Sequence, residues 1–170
     1  MSSNLLCYFF LFIGLVCAST LPAQINIESV GQWDAEVSQD AVLDAGLDFV
    51  AFFESMPDQA FFNIFVDDDD NGRKNFKFRV DVHREDIDWH PNLLLYLRRT
   101  GNGRWRGTGQ ANGLLKNGTD YQLLTTSPTY FLNGLKNRYD VPIQFRMEGA
   151  SVLLPAKTYS TNVVYTVTEL

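Results

Sequence analysis

Cysteine is almost missing from this 170-residue chain. The only two, Cys7 and Cys17, lie in one apolar stretch near the start, so the rest has no thiol for an internal disulfide and no cysteine nucleophile. Positive charge is in deficit. Fourteen Lys and Arg against 20 Asp and Glu leave a formal net charge of −6, which argues against a nucleic-acid partner, since that affinity rests on a basic footprint. No apolar run reaches the roughly 20 residues of a spanning helix, so no membrane span is expected. Local signatures of catalysis are absent as well: there is no Gly-x-Ser-x-Gly and no His-Glu-x-x-His. A hydrolase with paired carboxylates carries no local motif and stays open, although so short a chain leaves little room for a deep cleft.

What is present begins with an apolar run from Leu5 to Ala18, followed by Ser19, Thr20, Pro22 and Ala23. Its length suits the central region of a secretory signal peptide. The reading is a leader over residues 1–23, with cleavage after Ala18 or, preferably, after Ala23, and a product that is secreted, periplasmic or at the cell surface. A lipoprotein anchored through Cys17 is the alternative. Val16 disfavours it, being bulky just before the cysteine.

Residues 24–170 then read as one domain of about 150 residues, long enough to bury about 68–70% of the surface its unfolded form exposes without disulfide help. Thirteen Phe and seven Tyr supply the packing. The alternation is that of half-buried strands. Val141, Ile143, Phe145 and Met147 alternate with Pro142, Gln144, Arg146 and Glu148, and Tyr159, Thr161, Val163, Tyr165 and Val167 with Ser160, Asn162, Val164, Thr166 and Thr168. Phe76, Phe78, Val80 and Val82 face away from Lys77, Arg79, Asp81 and His83, and Leu93, Leu95 and Leu97 from Leu94, Tyr96 and Arg98.

The remaining pattern is weaker. Short strands fit around Ile25 and Ile27 and around Trp33, Ala35 and Val37, with a helical turn or loop over Asp40 to Gly46. Phe49 to Phe53 and Phe61 to Val66 read as a hairpin turned at Met56-Pro57-Asp58. Thr100 to Gly113 is an irregular Gly- and Asn-rich loop. Asn117-Gly118 suits a tight type I′ turn between flanking strands, and Ser127-Pro128 caps a single helical turn stopped by Gly134. The fold expected is an all-β antiparallel sandwich, immunoglobulin-like, of about eight or nine strands, with a closed barrel as the alternative.

Three clusters invite a functional reading. Asp67, Asp69 and Asn71 before Gly72 resemble the first half of a calcium loop, but the acidic residue due six places after the glycine is Phe78; a solvated acidic turn is the preferred reading, with no metal assigned. His83, Glu85, Asp86, Asp88 and His90, with Arg84 and Trp89, form a zinc or acid–base site only if a turn makes them converge, and a polar loop is preferred. Arg98, Arg99, Arg104 and Arg106 surround Trp105, the chemistry of recognition; the competing reading is a Trp folded back to pin its loop. Asn117-Gly118-Thr119 is a formal glycosylation acceptor that the turn already explains.

Val141-Pro142-Ile143-Gln144-Phe145, then Leu154-Pro155-Ala156, Thr158-Tyr159-Ser160-Thr161 and Val163 to Thr168 resemble the close of spore coat protein U-like domains, exported bacterial sandwiches related to pilins. Lys157 stands where that family usually has Gly, and the likeness covers about the last thirty residues. It implies a surface or extracellular structural component without catalysis or cofactor, with self-association or a protein partner through a sheet edge. Ile25 to Val30 is the segment to watch as a donated strand, an ordinary first strand being the preferred reading. A small carbohydrate- or ligand-binding module using the Trp105 loop is the alternative function.

Overall fold

A computed structural model of the chain describes residues 25–37, 49, 51–66, 76–105 and 115–170. Every regular element among them is a strand: β1 (Ile25–Val30), β2 (Phe52–Glu54), β3 (Ala60–Val66), β4 (Lys77–Asp88), β5 (Leu94–Arg99), β6 (Gln122–Leu123), β7 (Thr129–Leu135), β8 (Arg138–Glu148) and β9 (Ser160–Glu169). All pair antiparallel, in a larger sheet ordered β1-β3-β8-β5-β6 with β2 also on β8, and a smaller sheet ordered β7-β4-β9. The expected antiparallel sandwich is the fold. No helix among the described residues is long and apolar enough to cross a membrane. The leader, both cysteines, the Asp40 to Gly46 turn and the acidic turn at Asp67, Asp69 and Asn71 lie outside the described residues.

One core joins the sheets because β3, β4, β5 and β8 turn alternate residues inward, while β7 buries the neighbours Phe131 and Leu132. The larger sheet contributes Phe62, Ile64, Leu95, Leu97, Val141 and Ile143, and the smaller one Phe78, Val80, Val82, Phe131 and Leu132. The predicted inward positions of β4, β5 and β8 are all buried. β9, at the edge of its sheet, lays Val163, Tyr165 and Val167 against the same core, and the Tyr165 ring meets Phe62 with centroids 5.5 Å apart.

Several local expectations are corrected. β2 and β3 do not form a hairpin. Both run in the same direction along β8, with Phe53 opposite Met147 and Phe62 opposite Val141. Ser55 keeps the chain on β8: its amide donates to the Phe145 carbonyl (3.0 Å), its Oγ accepts from the Phe145 amide (2.8 Å), and its carbonyl accepts from Gln144 Nε2 (2.9 Å). The chain then lifts off at Met56-Pro57, where proline has no N–H for the ladder, and the Gln59 amide closes the loop on the Met56 carbonyl at 3.2 Å.

Residues 31–37 are irregular rather than a second strand. Gly31 turns the chain at φ 119°, and Trp33 stacks its ring nearly parallel to Phe145 at 6.1 Å. The helical turn expected after Ser127-Pro128 is strand β7, and Gly134 sits inside it because a Cβ there would lie 2.6 Å from Leu115 Cδ2 and 2.7 Å from Phe78 Cζ. Asn117 and Gly118 do adopt φ of 66° and 74°, yet they join no hairpin. Lys116 bridges to Asn133 on β7, whereas Gln122 and Leu123 pair with β5, so this turn carries the chain from one sheet to the other. His83 lies in β4 as expected, and the stretch from Arg84 to Asp88, expected as a polar loop, extends that strand along β9.

Candidate functional site

The histidines do not converge. His83 projects from β4 with Nε2 3.6 Å from Glu85 and, among the described residues, no partner at Nδ1. His90 lies past the strand end, where its Nδ1 accepts from the Asn92 amide at 3.2 Å and its ring stands edge-on to Tyr159. The five residue steps of extended strand from His83 to Asp88 alone span about 16 Å. The intervening carboxylates are taken by cations, Asp86 by Arg84 and Asp88 by Lys157. Among the described residues no three His, Cys, Asp or Glu side chains are grouped to hold a metal ion.

The arginines around Trp105 separate by task. Arg99 is buried (7% exposed), and its guanidinium donates to the carbonyls of Asn117 (2.5 Å), Leu115 (3.0 Å) and Gly101 (3.2 Å) and to Asn102 Oδ1 (2.7 Å). Burial pushes its pKa down, but a guanidinium stays charged in proteins. It ties loops together. Arg104 pairs with Asp140, and Lys136 rather than an arginine covers the half-buried Trp105 ring, its Nζ 4.5 Å from the centroid. Arg106 lies outside the described residues.

Arg98 belongs to a different array, on the outward face of the larger sheet, built by cross-strand register. Phe52, Glu148 and Leu94 form one row; Glu54, Arg146, Tyr96 and Leu123 form the next; Gln144 and Arg98 form a third, with Tyr121 just before β6. The Arg146 guanidinium lies 4.1 Å from the Phe52 centroid and 5.5 Å from that of Tyr121, and Arg98 lies 4.5 Å from the Tyr121 centroid. Arg98 also donates from Nε and Nη2 to Gln144 Oε1 (3.0 and 2.9 Å), and Arg146 Nη2 pairs with Glu148 at 2.6 Å.

Burial raises the pKa of both tyrosines. Glu148 adds to the rise at Tyr96, while at Tyr121 Arg98 opposes it and Glu54 adds to it. Among the described residues the Tyr121 hydroxyl and Arg146 Nε have no hydrogen-bond partner. Guanidinium planes on aromatic faces are weakly hydrated and pre-organised, a chemistry suited to contact with another surface. Phe52, Leu94 and Leu123 flank the array, 43%, 37% and 38% exposed.

Beside it, where β2 gives way to the loop before β3, an open groove of about 540 Å³ is lined by Gln32, Trp33, Asp34, Glu54, Ser55, Met56, Pro57 and Gln59. Glu54 is shared by groove and array. Gln32 Nε2 holds Asp34 Oδ2 at 3.0 Å and Gln59 Nε2 holds the Gln32 carbonyl at 2.7 Å, so the groove has fixed polar walls and one tryptophan.

Neither the array nor the groove was visible as a motif, because the residues come from four separated strands and three loops. The available signal was a mixed outward face: Leu94, Tyr96 and Arg98 on one strand, Gln144, Arg146 and Glu148 on another. No family model matches the chain, and no characterised protein or solved structure matches it either.

Proposed function

We propose that the chain is an exported, non-catalytic β-sandwich acting as a structural or adhesive component at the cell surface or outside the cell. The observation that carries this reading is the arginine–aromatic array. Its side chains serve no core, yet cross-strand register and stacking hold them in fixed positions on an outward face. The apolar leader and the resemblance of the closing residues to spore coat protein U-like domains support the export half of the reading, and the partner is a protein surface. The test is fractionation of expressing cells with mass spectrometry of the product. A chain starting at Gln24, outside the cytoplasm, is expected; a full-length chain retained in the cytoplasm overturns it.

A second reading, a small carbohydrate- or ligand-binding module, is favoured by the groove at Trp33 and Asp34 more than by the Trp105 loop, since Lys136 already occupies a face of the Trp105 ring. A glycan array separates them. Binding lost in Asp34→Ala selects the groove, binding lost in Trp105→Ala selects the loop, and no binding by the wild type removes the module.

A further inference from the structure

The geometry points to a two-fold homodimer in which the outward face of the larger sheet packs on the same face of a second copy. Three of the nine large hydrophobic side chains that the described surface leaves exposed, Phe52, Leu94 and Leu123, sit on this face around Arg146. A patch rich in Phe, Tyr, Leu and Arg has the composition of an interface core. Saccharide stacking is disfavoured, because Arg98 and Arg146 lie over the Tyr121 ring and Arg146 over Phe52. Two arginines interleaved with two carboxylates on an acidic chain also disfavour a polyanion.

Charge order selects a second copy. Along the strands the face runs from a carboxylate end, the Glu148 row, to a guanidinium end, the Arg98 row, about 13 Å away at two residues per row. A two-fold axis between the copies, parallel to the direction in which the strands pair, reverses that order and lays each Glu148 end over the other copy's Arg98 end. Glu148 and Arg98 stand on neighbouring strands, offset by about 4.8 Å, within reach of these side chains. Symmetry makes the contact twice. Arg146 lies near the axis on Oε1 of its own Glu148, which leaves Oε2 of that carboxylate to face the other copy's Arg98.

The face spans roughly 20 Å by 20 Å, about 400 Å² per copy, half of what a standard stable interface buries, so association is weak and concentration-dependent. The dimer rests on the array's role as a protein-contact surface and forms whether or not the chain is exported.

Sedimentation equilibrium of the wild type up to about 1 mM, the range of weak association, is expected to show the mass rising toward two chains. Leu94→Asp and Phe52→Ser, both outward and partly exposed, are expected to abolish the rise. Arg98→Glu alone and Glu148→Arg alone each place like charges across the axis and stay monomeric, whereas mixing these two variants restores opposite charges and association. A wild type monomeric throughout, a dimer indifferent to Leu94→Asp, or a mixture no heavier than its components overturns the inference. If a charge variant fails to show a strand-type circular dichroism spectrum, the two apolar variants decide the matter.

Discussion

Arg99 turns its guanidinium inward onto three carbonyls and one side-chain amide oxygen. Lysine carries the same charge but cannot reproduce that fork, so Arg99→Lys is expected to lower stability by about 2 kcal/mol, read as a shift in the urea midpoint. Gly134→Ala places a methyl against Leu115 and Phe78, and overpacking of this kind costs about 1–3 kcal/mol. Tyr96, Tyr121 and Tyr165 all have pKa values raised by burial from an ordinary 10.0. The sign follows from proton counting. Above pH 10 the unfolded chain releases phenolic protons that the folded chain still holds, so this contribution is intact below about pH 10 and is lost as pH rises beyond it. Urea midpoints measured from pH 8 to 11 are expected to fall at the alkaline end, and Tyr165→Phe is expected to flatten the fall.

At the level of elements, legibility tracked regular period-two alternation. β4, β5, β8 and β9 were readable because each turns a continuous apolar face inward. β7 was hidden by a register shift that leaves Val80 opposite Leu132 and Asp81 opposite Tyr130, so Phe131 and Leu132 are consecutive and both buried. The β2–β3 segment misled for a related reason: Met56-Pro57-Asp58 has turn chemistry, but the loop returns the chain to the strand it left. Ser55 decides this outcome, and Ser55→Ala removes the acceptor of the Phe145 amide. A loss of about 1–2 kcal/mol is expected, with faster hydrogen exchange at Phe145 as the local readout. Of the candidate sites, the Trp105 loop was legible as a cluster but its arginines were not as separate tasks. The Phe52–Arg146–Tyr121–Arg98 array was illegible, since pairing between distant strands, not spacing, brings those side chains together.

For the whole molecule, cohesion rests on the shared core, and both cysteines fall within the leader as read. Reductant is therefore expected to leave the melting midpoint of the processed protein unchanged. Truncating Phe78 to alanine, by contrast, empties a fully buried site that faces the other sheet, and about 3–5 kcal/mol is expected to be lost, enough to unfold a domain of ordinary stability.

The position of β8 has a further consequence. It is the strand on which β2, β3 and β5 all assemble, and it is encoded next to last. Until it leaves the ribosome, β1–β3, β5–β6 and β4–β7 can pair among themselves, but nothing joins β2, β3 and β5 into one sheet. The larger sheet is therefore expected to close only late in synthesis, as the tail of the chain arrives.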